Sequence, residues 1–238
     1  MTSQQLILVL QNNRGMFYPV VPFDPAKDKL LSLDFTTGNK ELADEVLLHS
    51  DQFIHYINDK LNHAGARYGI GGYAEYRTVY SKSNVFDGNT PGDEPRRLHL
   101  GVDIWGKPHT AVIAPLDGIV HSFAFNNNFG DYGATIILTH MLDGITFYTL
   151  YGHLSLNSIK NLSEGERIKG GDIFAEFGIP AENGGWPPHL HFQIILDING
   201  WSGDYPGVCK YSEKEKWLDN SPDGDLILGL NDYISQFI

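Results

Sequence analysis

The sequence predicts a mainly β protein, with a small antiparallel β-sandwich or hybrid barrel as its main domain and an N-terminal α+β extension. From residue 98 to about residue 197, short apolar segments alternate with Gly, Asp and Asn turns, and the helical period is absent. A helical period does occur before this span. We therefore expect an N-terminal extension at residues 1–95, a β-domain at 96–200, and a C-terminal extension at 201–238 that packs on the core.

Composition limits the classes of partner. Of the 238 residues, 42% are hydrophobic and 19% are charged, which is typical of a globular protein. The 17 basic and 29 acidic side chains give a net charge of −12, which disfavours nucleic acid and anionic membranes as partners. The single cysteine, Cys209, excludes an internal disulfide and a thiolate metal site, and no apolar run is long enough to span a membrane. The oligomeric state stays open.

The N-terminal extension begins with a short apolar run at residues 6–10. No basic residue precedes this run and no small-residue cleavage pattern follows it, so we predict a first strand rather than a signal sequence. This favours the cytoplasm over export but leaves the compartment open. Pro19, Pro22 and Pro25 interrupt any helix in the segment that follows.

One helix is predicted at about residues 39–63. Its apolar positions recur at helical spacing, and they are Leu42, Val46, Phe53, Ile57 and Leu61. Thr37 or Asn39 can cap its start, and Gly65 can end it. Three histidines of this helix are expected to face solvent or to make ordinary hydrogen bonds, because no metal-binding motif such as HExxH surrounds them. They are His49, His55 and His63.

A Gly- and Tyr-rich stretch at residues 66–86 has two interpretations. It can be a loop and strand whose tyrosines pack on the core, or it can be a wall of a substrate groove. Its glycines match neither nucleotide-binding fingerprint. The polar, turn-rich residues 88–97 then mark the start of the main domain.

The β-domain is predicted to contain six short strands, at residues 111–114, 118–125, 134–140, 145–151, 172–177 and 190–197. Asp143-Gly144 and Asn199-Gly200 each predict a tight hairpin. In the C-terminal extension, Ser212 and Glu215 have the spacing of a capping box, which predicts a short helix through Trp217. Residues 226–238 are expected to form a strand or helix that packs back on the domain.

Three strand-like segments each bring polar groups to one face, because side chains alternate along a strand. The three sets are His99, Gly101 and Asp103; Thr149, Tyr151 and His153; and His189, His191 and Gln193. Two imidazoles side by side in the last set suit a metal ion or a proton relay. Gly101 has no side chain, which leaves room for an ion between His99 and Asp103, and Gly152 keeps the approach to His153 open.

Together these motifs resemble a known family. His99-x-Gly-x-Asp103, then YGHLS around His153, then His189-Leu-His191 follow one another in the order found in the lysostaphin-type zinc metallopeptidases, the murein endopeptidase family with a duplicated hybrid motif fold. The segments APLDGIV and EGERIKGGDIFAEFG also agree with that family, and the resemblance covers residues 96–197. GGWPPHLHFQ and SPDGDLILG are in addition similar to a peptidase-like segment of phosphotransferase/aminotransferase fusion proteins.

The resemblance implies a zinc endopeptidase that cuts glycine- or D-alanine-containing peptides of the peptidoglycan type. His99, Asp103 and His191 would be the ligands of Zn²⁺, with a fourth position left for water or substrate. His153 and His189 would be the catalytic histidines. In the implied mechanism zinc activates water and polarises the scissile carbonyl, one of these histidines takes a proton, and the other stabilises the oxyanion. Which histidine does which stays open.

Other interpretations remain. The chain can be a non-catalytic relative that binds a partner, or a hydrolase of a small amide inside the cell. A relation to the fusion proteins would argue against cell-wall substrates but would leave the zinc site unchanged. The strands around LDGIV and ERIKGGDIF resemble a biotinyl or lipoyl carrier, but the Met-Lys pair of such carriers is absent. Residues 180–188 replace the family's usual Gly, Ser and Thr segment, so the groove edge is expected to differ there. We expect His109 at the surface, structural roles for His121 and His140, and a packed Tyr151.

Overall fold

The structure is a computed structural model that describes residues 2–42, 49–87, 90 and 92–235. Within these residues the protein is mainly β, as the sequence predicts, and forms one large mixed sheet without a closed barrel. The strands are β1 (Leu30–Leu33), β2 (Tyr68–Gly71), β3 (Arg96–His99), β4 (Val102–Trp105), β5 (Ala111–Ile113), β6 (Gly118–Asn126), β7 (Gly133–Leu142), β8 (Ile145–Leu154), β9 (Arg167–Ile168), β10 (Ile173–Glu176), β11 (His189–Ile195), β12 (Val208–Lys210) and β13 (Ile234–Ser235). The α-helices are α1 (Ser3–Asn12), α2 (Ser50–Ala64), α3 (Leu156–Ile159), α4 (Lys214–Asn220) and α5 (Asp225–Leu228).

The large sheet has the order β13-β1-β2-β4-β11-β8-β7-β6-β9. From β2 to β9 every pairing is antiparallel, whereas β1 runs parallel to both of its neighbours. Strands from all three predicted segments of the chain therefore share one sheet. Two further pairs of strands, β5 with β10 and β3 with β12, form small antiparallel sheets beside it.

β11 lies in the middle of this sheet and is buried along its whole length. Its side chains alternate as the sequence predicts: Leu190, Phe192 and Ile194 belong to the main hydrophobic core. The other face carries the histidines. Because β11 pairs with both β4 and β8, residue 191 lies opposite both Asp103 and Gly152. This register brings together the polar residues of three sequence motifs.

The predicted first strand at residues 6–10 is wrong, since these residues belong to α1. Thr2 and Gln5 form a capping box: the Thr2 side chain accepts from the Gln5 backbone N–H, and the Gln5 side chain accepts from the Thr2 backbone N–H. Leu6 and Leu10 are fully buried, one helical turn apart, in the main core. Within the apolar run, Leu6 and Leu10 therefore form the buried face of the helix, whereas Leu8 is exposed.

The predicted helix of the N-terminal extension corresponds to α2, which ends at Gly65 in a left-handed conformation as expected. Residues 43–48, including Val46, lie outside the described residues. Thr37 and Asn39 do not cap α2 as predicted, because its N-cap position is His49; the Asn39 side chain instead donates to the carbonyl of Asp34 and to the hydroxyl of Tyr56. His49, His55 and His63 are exposed, as predicted.

The β-domain contains a strand at each of the six predicted places. Asp143-Gly144 joins β7 to β8 in a tight hairpin, with positive φ at both residues. Asn199-Gly200 has the same backbone signature but does not form the predicted hairpin, because β12, the next strand, pairs with β3.

In the C-terminal extension, helix α4 occurs where the capping box predicts a helix, but the box itself is absent. The Ser212 hydroxyl and backbone N–H both donate to Glu94 instead, which ties this extension to the start of the β-domain. Residues 226–235 include part of α5 and β13, and the last three residues lie outside the description. No helix in the described ranges has the length and apolar character that crossing a bilayer requires.

Candidate metal centre

Three buried side chains bring one atom each to a common point on the histidine face of the sheet. Nε2 of His99 lies 3.0 Å from Nδ1 of His191, and Oδ1 of Asp103 lies 3.2 Å from the first nitrogen and 3.1 Å from the second. Each of these residues is at most 3% exposed. The structure thus brings together the three residues that the sequence predicts as metal ligands.

This triangle has the dimensions of one face of a tetrahedral metal site. Bonds of about 2.0–2.1 Å around a tetrahedral zinc ion place the ligand atoms about 3.3 Å apart. The observed edges of 3.0–3.2 Å are close to that separation. Two imidazoles and one carboxylate suit zinc, and three protein ligands leave a fourth position for water or substrate, as in catalytic zinc sites. The residues present therefore fit a catalytic zinc ion.

His99 and Asp103 lie on two strands, β3 and β4, rather than on one strand face as the sequence predicts. β3 pairs with β12, whereas β4 pairs with β2 and β11. Between His99 and Asp103 the chain therefore passes from a small two-stranded sheet into the large sheet. The space at Gly101 holds the His191 imidazole, not an ion: a Cβ on residue 101 would lie 2.6 Å from Cε1 and Nε2 of His191. Likewise, the space at Gly152 admits the Tyr132 ring.

Each of the three side chains has a second partner that fixes which atom faces the common point. Nδ1 of His99 donates to the carbonyl of Gly72 at 3.0 Å, which leaves Nε2 free for a metal. Nε2 of His191 donates to Oε1 of Gln193 at 3.0 Å, which leaves Nδ1 free. Oδ2 of Asp103 accepts a hydrogen bond from Nη1 of Arg77 at 2.5 Å, which leaves Oδ1 free for a metal.

Gln193 is itself fixed by hydrogen bonds. Its amide nitrogen donates to the carbonyl of Pro206 at 3.2 Å and to the hydroxyl of Ser221 at 2.9 Å. These two bonds assign the nitrogen and oxygen ends of the amide, so the oxygen faces His191. On the predicted polar face of β11, Gln193 therefore connects His191 to the segment before β12 and to Ser221 through hydrogen bonds.

The protonation states match those of metal ligands. Burial, together with the nearby Arg77 guanidinium, lowers the pKa of His99 to about 4. Burial alone would raise the pKa of Asp103, but the charges of His99 and Arg77 hold that pKa well below its ordinary value. At neutral pH, His99 therefore has a free lone pair and Asp103 is ionised, which is the state that binds a divalent cation.

The two histidines predicted to be catalytic lie beside this triangle and are stacked on each other. Their ring centroids are 4.0 Å apart, and Trp105 stacks on the other face of His189 at 3.8 Å. Nδ1 of His153 donates to the carbonyl of Asn183, and Nδ1 of His189 donates to the carbonyl of Pro187, each at 2.8 Å. Both rings therefore keep Nε2 free to accept or share a proton.

Burial determines the protonation state of this pair as well. It lowers the pKa of His189 to about 3, and burial together with His189 lowers the pKa of His153 far below its ordinary value. Both imidazoles are neutral at neutral pH.

His153 reaches the site through an unusual backbone conformation. Tyr151 lies opposite Phe192 and packs in the core, so strict alternation would send residue 153 to the core face as well. A φ of 62° at His153 turns its side chain to the opposite face, towards His189 and His191. The predicted common face of Thr149, Tyr151 and His153 is therefore wrong, whereas the expected packed Tyr151 is confirmed.

The remaining histidines are placed as predicted. His109 is exposed in a turn, where Nδ1 lies 3.1 Å from a carboxylate oxygen of Glu176. His140 is buried and donates from Nδ1 to the carbonyl of Asp117. His121 is partly exposed and contacts the hydroxyl of Ser122.

Asp103, His153, His189 and His191 line a cleft that opens to solvent. Aromatic and aliphatic side chains from the N-terminal extension, β4 and the segments before β11 and β12 line much of it. They include Phe35, Phe53, Val79, Tyr80, Val85, Phe86, Trp105, Trp186, Trp201, Tyr205 and Val208. In residues 66–86, Tyr68 packs in the main core and Tyr80, itself buried, lines the cleft, so the core-packing interpretation is confirmed and the wall of a substrate groove stays a prediction.

Sequence reasoning missed several residues around the centre. Trp105 shares a strand face with Asp103, so alternation could have placed it there. Tyr132, whose hydroxyl lies 3.4 Å from Nε2 of His191, and Arg77 come from segments without a regular pattern. The carbonyls of Asn183 and Pro187 belong to the segment in which the chain departs from the family's usual residues. Backbone carbonyls leave no signal in a sequence.

The part of the chain that carries this site matches a known peptidase family. A family model described as peptidase family M23 matches residues 97–203, which include all five predicted site residues. Residues 97–203 thus match peptidase family M23, in agreement with the resemblance to the lysostaphin-type metallopeptidases that the motifs predict. The likeness to the fusion proteins stays a prediction.

Two curated relatives are similar to this chain. An uncharacterized metalloprotease of Haemophilus influenzae is 36% identical over 115 residues, which are 47% of this chain and 22% of that protein. The L-Ala–D-Glu endopeptidase of Bacillus subtilis is 29% identical over 179 residues, 69% of this chain and 52% of that protein. The chain thus matches about half or less of the length of these relatives. Among solved structures, the lysostaphin catalytic domain of Staphylococcus simulans is 25% identical, with a TM-score of 0.39 over 68% of this chain and 97% of that one.

Proposed function

We propose that the protein is a zinc-dependent endopeptidase that hydrolyses peptide bonds in glycine- or D-alanine-containing peptides of the peptidoglycan type. The observation that carries this proposal is the geometry of the centre: three potential ligand atoms lie within 3.2 Å of one another, beside two neutral imidazoles with free Nε2 atoms. The M23 domain and the endopeptidase relative support the peptide substrate.

In this proposal His99, Asp103 and His191 hold zinc through Nε2, Oδ1 and Nδ1. When bound, zinc supplies a Lewis acid that polarises the scissile carbonyl and makes water nucleophilic at neutral pH. Nε2 of one of the two stacked histidines would take a proton from the attacking water. Nε2 of the other, which carries no proton in the neutral ring, would first take one from solvent and would then donate a hydrogen bond to the developing oxyanion. The hydrogen bonds at Nδ1 hold both rings in the orientation that these steps need.

The apolar walls of the cleft have a further role. They exclude bulk water from the centre, which strengthens the electrostatic interactions made there. Trp105 fixes one face of His189 and His153 fixes the other, so the His189 ring is held between two planar groups. A ring fixed in this way is already oriented before a peptide binds.

The test is digestion of a panel of muropeptides, pentaglycine and L-Ala–D-Glu peptides by the zinc-loaded protein. His189→Ala is expected to lower kcat by about 10²–10⁴-fold, the usual contribution of a general acid or base. His109→Ala, an exposed histidine outside the centre, is the matched control and is expected to cleave at the wild-type rate.

The alternatives give distinct outcomes. Protein with stoichiometric zinc that leaves every peptide intact but hydrolyses a small amide would reject the peptide substrate. Protein that binds no zinc when assayed by metal analysis would indicate a non-catalytic relative instead. Equal rates for wild type and His189→Ala would reject the role of that histidine.

A further inference from the structure

We propose that Arg77 is a positioning residue of the metal centre, which holds Oδ2 of Asp103 so that Asp103 binds the metal through Oδ1 alone. This inference rests on the metal site of the proposed function, but it does not depend on the substrate. Arg77 lies in the N-terminal extension, outside the residues 97–203 that match the family model.

The Arg77 guanidinium is buried and held from several sides. Its side chain is 2% exposed. Nη1 donates to Oδ2 of Asp103 at 2.5 Å, Nε donates to Oε2 of Glu75 at 2.6 Å, and Nη2 donates to the carbonyl of Gly72 at 3.2 Å. A planar guanidinium that makes these bonds at once has a single orientation. Asp103 thus meets a donor whose position is fixed by other residues.

The two oxygens of Asp103 have different surroundings. Oδ1 faces His99 and His191 at 3.2 and 3.1 Å, whereas Oδ2 faces Arg77. A carboxylate can bind a metal through one oxygen or through both. The charged hydrogen bond from Arg77 uses one lone pair of Oδ2 and draws negative charge towards the guanidinium, which disfavours coordination through both oxygens. Arg77 therefore keeps a coordination position free for water or substrate.

The same segment of chain also orients a second ligand. The carbonyl of Gly72 accepts from Nδ1 of His99 at 3.0 Å and from Nη2 of Arg77. Residues 72–77 therefore contact two of the three ligand side chains from outside the family-matched range. The segment that sequence analysis could assign only to a wall or to the core is part of the metal centre.

The experiment measures metal binding and coordination independently of peptide cleavage. The full-length variants Arg77→Met and Arg77→Lys are compared with wild type and with Arg97→Met. Arg97 is a matched control, because its side chain is only 10% exposed and forms its ion pair with Asp87 rather than with one of the three ligands. The dissociation constant for Zn²⁺ is measured by competition with a chelator, and the visible absorption of the Co²⁺-substituted protein reports the coordination number.

We expect Arg77→Met to bind Zn²⁺ about 10–100-fold more weakly, the usual effect of losing a partner of a metal ligand. The Co²⁺ absorption should weaken as Asp103 begins to bind through both oxygens. Arg77→Lys should recover part of the affinity, because one ammonium group cannot bond to both Glu75 and Asp103 with the geometry of a guanidinium. Arg97→Met should match wild type in both measurements.

Wild-type Zn²⁺ affinity and an unchanged Co²⁺ spectrum in Arg77→Met or Arg77→Lys would overturn the proposal. If Arg77→Met does not fold, Arg77→Lys and Glu75→Gln decide it, since both loosen the guanidinium contacts and retain a polar group at each position. A wild-type protein that binds zinc with the expected Arg77 dependence but cleaves no peptide would reject the proposed function and leave this inference intact.

Discussion

Gly101 provides the space in which the His191 imidazole lies against the other two ligands. A Cβ on residue 101 would be 2.6 Å from two ring atoms of His191 and 2.7 Å from the carbonyl oxygen of Phe192. We expect Gly101→Ala to displace His191, to weaken Zn²⁺ binding by at least tenfold, and to cost about 1–3 kcal/mol of unfolding free energy through overpacking. Chelator competition and urea unfolding measure the two effects.

Gly15→Ala is the control for this substitution, because a Cβ there meets nothing within 4 Å and its φ is not positive. It should leave both quantities unchanged. Wild-type metal affinity in Gly101→Ala would show that the ring position does not matter.

His153 has a left-handed backbone conformation, so two substitutions can distinguish the proposed chemical role of its side chain from the effect of its backbone on stability. Asn adopts positive φ more readily than Ala does. We expect His153→Asn to lose about 10²–10⁴-fold in kcat while it keeps its fold and its zinc, whereas His153→Ala should in addition lose about 1 kcal/mol of stability. Peptide cleavage, metal analysis and unfolding curves are compared for the two variants. Full activity in His153→Asn would remove this residue from the mechanism.

Among the elements, α1 packs residues near the N-terminal end of the chain on the core that supports the proposed metal centre. Leu6 and Leu10 are in the same hydrophobic cluster as Phe192, which is next to His191 in β11. We expect Leu6→Ala to cost about 2–5 kcal/mol of unfolding free energy, since it removes a fully buried side chain. Leu8→Ala, at a position that is 52% exposed on the same helix, should change stability little. Similar effects of the two substitutions in urea unfolding would contradict the packing of α1.

The elements also show where sequence patterns are informative. Every strand of the β-domain that was predicted from alternating or apolar segments exists, because burial against one core enforces that pattern. α1 was mistaken for a strand although Thr2 and Gln5 have capping-box spacing, because a five-residue apolar run is compatible with either type of element. The predicted capping box at Ser212 is wrong for a different reason, because the Ser212 hydroxyl donates to the carboxylate of Glu94, which is distant in the sequence.

At the scale of the whole molecule, buried histidines make stability depend on pH. Burial lowers the folded-state pKa of His99 and His140 to about 4 and that of His189 to about 3, whereas an unfolded histidine has a pKa of about 6.5. Between these values the unfolded chain binds more protons. The stabilisation is therefore fully present above about pH 6.5 and is lost as the pH falls towards 4, by about 1.4 kcal/mol per pH unit for each such histidine.

Urea unfolding of the metal-free protein at about pH 7, 6 and 5 tests this expectation. His140→Gln should reduce the slope of stability against pH by about 1.4 kcal/mol per unit, because it removes one titrating group that lies outside the metal centre. A stability that is constant between about pH 7 and pH 5 would show that these histidines are hydrated in the folded protein.

The whole site could be predicted only in part. The order of the motifs is sufficient to select His99, Asp103, His153, His189 and His191, and the register of β11 against β4 and β8 brings them together. The contacts that orient them come from backbone carbonyls at residues 72, 183 and 187 and from Arg77, which is 26 residues from Asp103. Such contacts depend on how irregular segments fold around the sheet, and no spacing rule encodes that.

The aromatic lining of the cleft gives the protein a built-in optical reporter. Three of the four tryptophans, Trp105, Trp186 and Trp201, line the cleft, and only Trp217 lies elsewhere. Because Trp105 stacks directly on His189, we expect its emission to depend on the contact between the two rings. Intrinsic fluorescence will therefore follow the arrival of a metal or a peptide without any attached dye, and a Trp105→Phe protein will identify the part of the signal that comes from that indole.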